Sequence, residues 1–193
     1  ESLAKALQGT RQEVAVFLPR TVDVDIDALK GLIERTEITI PMESQAVSGL
    51  FLLPDGAVAM YLLAHGAGAG MRHPFMEAVA EALAAEGVAT LRYQFPYLET
   101  GNRRPDLPAV AVATVRAAVA RAVELAPGLP LFAGGKSFGG RMTSTAAAGG
   151  LAPVRGLVFL GFPLHPPKRP ATTRADHLAQ VALPMLFLQG TRD

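Results

Sequence analysis

Leu129-Pro130-Leu131-Phe132-Ala133-Gly134-Gly135-Lys136-Ser137-Phe138-Gly139-Gly140-Arg141 runs from an apolar stretch into a serine with a glycine two positions to either side. Leu129 to Ala133, after the Pro127-Gly128 turn signal, suits a buried parallel strand. Arg141 to Ala148 is small and helix-compatible until Gly149-Gly150 stops it. A serine on the sharp turn between them must take a strained backbone conformation, and the flanking glycines remove the side chains that would collide there. The hydroxyl then stands on a tip, as a nucleophile must. The amides that open the helix point at the same place, so the N–H of Phe138 is a candidate oxyanion donor.

A Gly-x-Ser-x-Gly pentapeptide arises by chance in roughly one such chain in twenty, so its neighbours have to decide the reading. Gly135-Lys136-Ser137 also matches the tail of a phosphate-binding loop. That motif needs a glycine where this chain has Pro130. His65-Gly66-Ala67-Gly68-Ala69-Gly70 follows the apolar run Val58 to Ala64, and a glycine-rich loop after the third strand is where such hydrolases place their second oxyanion amide. Ala67 is the candidate donor; read alone, the loop is equally a plain glycine-rich turn. Asp193 follows the apolar Pro184 to Gln189 and Gly190-Thr191-Arg192, just past a late strand, where an orienting carboxylate belongs in the chain order Ser then Asp. Asp176, in a predicted helix, is the fallback.

At 193 residues, half of them hydrophobic, the chain is long enough for one domain with a substantial core. A net charge of +1 implies neither nucleic acid nor an acidic partner surface; a small-molecule substrate is the expected partner of the hydrolase reading. The lack of cysteine removes disulfides and thiolate chemistry and fits the cytoplasm. No apolar stretch reaches membrane-spanning length, and the residues from Glu1 lack the layout of a signal peptide. Glu1 is expected not to be the natural start. The four histidines lack a close paired spacing, so neither a metal nor another cofactor is expected. The sequence leaves the oligomeric state open.

Along the chain, Glu37 to Ile40 and Ala46 to Leu53 read as a leading hairpin, Val58 to Ala64 as a strand and Pro74 to Glu86 as an amphipathic helix. Val88 to Tyr93 is a strand and Pro108 to Leu125 a long Ala/Val-rich helix. Past the Ser137 turn come a strand over Val154 to Leu160, a helix over Ala171 to Val181 and a strand over Pro184 to Leu188. This alternation predicts an α/β fold, a mostly parallel sheet with helices on both faces. Residues 1–36, with a possible strand over Val14 to Leu18 and a short helix over Ile26 to Arg35, read as an N-terminal arm or preceding segment. Residues 37–193 read as the core.

From about Glu37 to Asp193 the chain resembles the small bacterial α/β-hydrolases related to dienelactone hydrolase, in particular the testis-expressed and NSL-complex-subunit-like group. The motifs that carry the resemblance are Ala64 to Met71, Arg92-Tyr93-Gln94-Phe95-Pro96-Tyr97, Gly134 to Arg141, Gly161 to Pro167 and Gln189-Gly190-Thr191-Arg192-Asp193. The resemblance implies a Ser-Asp-His hydrolase core without a large lid, with Ser137 and Asp193 as catalytic residues. The family pattern continues past the acid into a helix, a last strand and the histidine loop, so the core is expected to be incomplete at its C-terminus and this chain nearly inactive. Among the histidines present, His65 shapes the oxyanion turn, His73 opens a helix, His165 lines the crevice at the strand ends or acts as base, and His177 is a surface or packing residue. His65, Tyr93, Phe95, Tyr97 and His165 are the candidate substrate contacts, with ordinary packing as the other account of the aromatics. The expected function is hydrolysis of an ester or similar acyl bond; the alternative is a non-catalytic scaffold that keeps the fold.

Overall fold

Seven strands form one sheet in the computed structural model, which describes residues 33–165 and 173–190. In chain order the elements are β1 (Ile33–Pro41), β2 (Ala46–Pro54), β3 (Ala59–Ala64), α1 (Pro74–Ala85), β4 (Val88–Tyr93), α2 (Pro96–Glu99) and α3 (Pro108–Leu125). They continue with β5 (Leu131–Lys136), α4 (Phe138–Ala148), β6 (Gly156–Leu160), a 3-10 helix (Asp176–Gln180) and β7 (Met185–Leu188). The strand order is β1-β2-β4-β3-β5-β6-β7. β2 runs antiparallel to β1 and β4, and every other pairing is parallel.

Alternation along the strands sorts the core into two faces. Tyr61 and Leu63 of β3 pack with Met76 of α1, while Met60, Leu62 and Ala64 join Ala111 and Val115 of α3 and Met142 of α4 on the other face. On the α1 face Phe132, Val158 and Leu160 are only half-buried. From β3 the chain crosses first to β4 on one side, then returns to β5 on the other. The point where strand order reverses therefore lies between β3 and β5, and in such sheets the crevice at the carboxyl ends of those strands is where ligands bind.

The first described strand, β1, begins at Ile33, earlier than the expected Glu37. Ile33 to Arg35 are strand, not helix, because β1 pairs with β2 along nine positions from Ile33↔Pro54 to Pro41↔Ala46, which satisfies their backbone groups in the ladder. The expected helix over Ala171 to Val181 is, in its described part, a single 3-10 helix. Only Leu178 is buried within it, too little apolar contact to hold a longer helix. α4 starts at Phe138, three residues before the expected Arg141, with two glycines in its first turn. The reading of Val14 to Leu18 lies outside the described residues.

β7 is anchored by aromatic packing: Phe187 lies 4.9 Å from Phe159 and 5.7 Å from Phe162, ring centre to ring centre. Truncating this buried ring leaves a void beside the last described strand. Phe187→Ala is expected to lower the unfolding free energy by about 3–5 kcal/mol, measured by urea denaturation. The same change at Phe75, which is 36% exposed, is expected to cost far less, and equal losses would contradict this account of the core.

Candidate active site

β3 and β5 are adjacent and in register, with Ala64 opposite Gly135, so the segments that follow them emerge side by side. Ser137 caps α4 with φ 47° and ψ −107°, and is the one non-glycine residue with positive φ among the described residues. Such a conformation costs on the order of 1–3 kcal/mol and persists only where its surroundings impose it. Here they do. The Ser137 amide donates to the Leu160 carbonyl of β6 (3.3 Å), and its own carbonyl accepts from Arg141 N–H (3.0 Å). The Thr143 hydroxyl, buried, sits 2.9 Å from the Gly139 carbonyl and 3.3 Å from that of Gly134, tying helix to strand. A Cβ at position 135 would lie 2.1 Å from the Ala64 carbonyl oxygen, and one at 139 would lie 2.5 Å from that of His65. Both framing glycines are therefore required by close approach to β3 and its loop.

The loop from His65 to Met71 is braced at four points by β4 and its extension. His65 Nε2 accepts the Phe95 N–H (3.1 Å), which leaves the proton on Nδ1 to be donated to the Gly66 carbonyl (2.8 Å). The Tyr97 hydroxyl accepts from Gly68 N–H (3.1 Å), Gln94 Oε1 accepts from Met71 N–H (2.9 Å), and Arg92 donates to the Met71 carbonyl (3.3 Å). Tyr97 is itself held through its amide by Asp106 (3.1 Å). Burial pushes the His65 pKa down to about 4, with a smaller opposing effect from its bond to Gly66, so the ring is neutral at pH 7. With this bracing, Ala67 is exposed at the loop tip. Among the described residues neither the Ala67 nor the Phe138 amide has a hydrogen-bond acceptor.

This arrangement corrects the expected substrate contacts. His65, Tyr93 and Phe95 are 0% exposed and Tyr97 is 3% exposed, so none lines an open pocket. Pro96 opens a short helix that folds the chain back, and the rings stack into the interior, with Phe95 5.2 Å and Tyr97 6.4 Å from Phe138.

His165 is exposed on the loop after β6, and its carbonyl accepts from Arg174 (3.4 Å). Asp193 lies outside the described residues. His73 accepts the Phe75 N–H at the start of α1 (3.1 Å). Lys136 turns its ammonium over the Phe75 ring, 4.1 Å from the centre, rather than toward the start of α4, where a phosphate loop needs it. His177 is more than a packing residue: its Nε2 lies 2.7 Å from the buried Ser144 hydroxyl, which in turn donates to the Arg141 carbonyl (2.9 Å). A pair 33 residues apart leaves no local spacing from which to read it. A cleft of about 490 Å³ opens at the opposite, amino end of the sheet, between Leu53, Asp55, Leu125 and Leu129. Its lining holds one carboxylate, Asp55, and no serine, threonine or cysteine. Among the described residues no group of three His, Asp or Glu side chains is placed to hold a metal, and no helix is long and apolar enough to cross a membrane.

A seven-stranded open sheet of this order, with a serine on the strand-to-helix turn after β5, has the α/β-hydrolase fold. Residues 57–193 match the family model described as an alpha/beta hydrolase domain, and the chain belongs to that family. Among solved structures it is similar to a dienelactone hydrolase from Anabaena variabilis, at 24% identity over 84% of this chain and 76% of that one, with a TM-score of 0.71. It is also similar to an alpha-beta serine hydrolase homologue from Coxiella burnetii (18% identity, 80% and 73% covered, TM-score 0.65). A third is a lidless serine hydrolase from Xanthomonas campestris (19% identity, 83% and 72% covered, TM-score 0.65).

The buried His65 has a consequence for stability. Its folded pKa of about 4 lies below the ordinary 6.5, so between these values the unfolded chain holds a proton that the native ring does not. Stability from this residue is complete above pH 6.5 and is lost as the pH falls toward 4, by up to about 3 kcal/mol. Urea unfolding at pH 7 and pH 4.5 is expected to show this loss, and His65→Gln is expected to flatten it. A pH slope unchanged by that substitution would show that the ring is not held neutral.

Proposed function

We propose that the protein is a serine hydrolase that cleaves an ester or similar acyl bond of a small molecule, with Ser137 as the nucleophile. The observation that carries this is the strained Ser137 turn, with two unengaged amides beside it on adjacent strand ends. Strain of this kind serves no packing purpose on a half-buried serine; it presents the hydroxyl. In this reading Ser137 Oγ attacks the carbonyl carbon as a histidine takes its proton, and the Phe138 and Ala67 amides stabilise the oxyanion. The same histidine then protonates the leaving group, and water releases the acyl group by the reverse sequence. Asp193 is the orienting acid. The base follows it, in the chain order Ser, Asp, His of this fold. His65, His73 and His177 are engaged elsewhere, which supports that assignment. The motifs Ala64 to Met71 and Gly134 to Arg141 support a relation to the testis-expressed and NSL-complex-subunit-like group, and the lack of cysteine supports a cytoplasmic setting.

Ser137→Ala is expected to lower hydrolysis of 4-nitrophenyl acetate by the full-length protein by a factor on the order of 10⁴–10⁶, and to abolish labelling by a fluorophosphonate probe. Hydrolysis within a few-fold of the unsubstituted protein would sink the assignment of Ser137.

A further inference from the structure

Thr143 is a polar residue in an apolar place. It is fully buried, in the stretch of α4 where Met142, Ala146 and Ala147 join the main core. A buried hydroxyl is costly unless it is hydrogen-bonded, and a threonine inside a helix can meet that need by donating to the carbonyl four residues back. Thr114 in α3 and Thr145 in α4 do this, with the carbonyls of Val110 (2.9 Å) and Arg141 (2.8 Å). Thr143 does the same with Gly139 (2.9 Å) but also reaches out of the helix, to the Gly134 carbonyl on β5 (3.3 Å). Its one proton is thus shared between the two arms of the turn that flank Ser137.

The strand arm is a firm anchor. A Cβ on Gly134 would collide with the Val158 carbonyl of β6, and that carbonyl is itself held by the Tyr61 hydroxyl (2.8 Å). The bonds that Ser137 makes through its own amide and carbonyl, with Leu160 and Arg141, run from main chain to main chain. Among the described hydrogen bonds, that of Thr143 is the one that joins an α4 side chain to β5. A serine at positive φ relaxes if the start of α4 draws back from the strand, because such a conformation persists only under constraint. Valine has nearly the same shape as threonine and would fill this apolar site without a hydroxyl to satisfy. Packing therefore does not account for the hydroxyl, whereas its reach across the turn does.

We propose that Thr143 is a positioning residue for Ser137: its hydroxyl holds the first turn of α4 against β5, so that the serine keeps its reactive conformation and the Phe138 amide keeps its aim. This rests on the reading of Ser137 as the nucleophile.

Three single variants of the full-length protein separate positioning from packing. Thr143→Val is expected to lower kcat for 4-nitrophenyl acetate by roughly five- to ten-fold, with KM changed by less than about two-fold, and to slow fluorophosphonate labelling of Ser137 by the same factor. Thr143→Ser is expected to restore both rates, although the loss of a buried methyl lowers its midpoint in urea. Thr145→Val, which removes a hydroxyl that bonds within α4, is expected to leave both rates unchanged. Hydrogen exchange at the Ser137 amide reads the turn without turnover, and its protection is expected to fall in Thr143→Val but not in Thr145→Val. That fall, in a protein that cleaves no ester and takes no label, upholds the clamp, and the hydrolase reading is then what fails. Rates and Ser137 protection unchanged in Thr143→Val overturn the clamp. So do rates that follow the urea midpoint through all three variants, since packing alone would produce that order.

Discussion

The approach of α4 to the end of β3 is the contact on which the rest of the site depends. Main chain meets main chain there, at distances where even a methyl group would collide with the Ala64 and His65 carbonyls. That proximity fixes two things together. It forces the β5-to-α4 turn to be sharp, which places Ser137 at positive φ, and it sets the start of α4 beside the loop that carries Ala67. A looser crossing would relax the serine and separate the two amides, so strain and pre-organisation have one cause.

A close approach of this kind is useful only if the loop on the β3 side is rigid. Glycine-rich loops are mobile by default, because glycine restricts the backbone least. The bracing from Arg92, Gln94, Phe95 and Tyr97 replaces that freedom with hydrogen bonds from a neighbouring strand. His65 suits this role because its ring accepts from one segment and donates to the next. It does so only in the neutral form, which its burial enforces. The histidine is thus a structural link, and its low basicity follows from that function rather than from catalysis.

What the sequence made legible follows from the range of each interaction. The Ser137 turn was readable because the glycines, the strand and the helix that produce it are contiguous, and the strand runs β3 to β6 were readable from apolar length and turn residues. β1 was placed four residues too late, because Ile33 to Arg35 take their conformation from pairing with β2 and not from local propensity. The aromatics of Tyr93 to Tyr97 were legible as a cluster near the site but not as its scaffold. Nothing local shows that Pro96 folds them inward. The Ser144 to His177 bond joins segments on either side of β6, and such pairings become visible only when the sheet has brought the segments together.

Net charge misleads for the same reason. A value near zero describes the average field at a distance, whereas a substrate at a strand-end crevice experiences the few charges within a Debye length, about 8–10 Å. Here nearly all the acids lie up to Glu124, with only Asp176 and Asp193 beyond it, while the segments that build the Ser137 turn contribute only cations. For the acyl transfer proposed at Ser137, a positive field at that turn would favour the anionic transition state. Lys136 contributes little to this directly, because its ammonium is turned away onto Phe75. Arg141 contributes more, since it is fixed to α4, partly desolvated and without a carboxylate to neutralise it among the described residues. Charge that is locally unbalanced and held in place by packing is therefore concealed by the total charge of the chain.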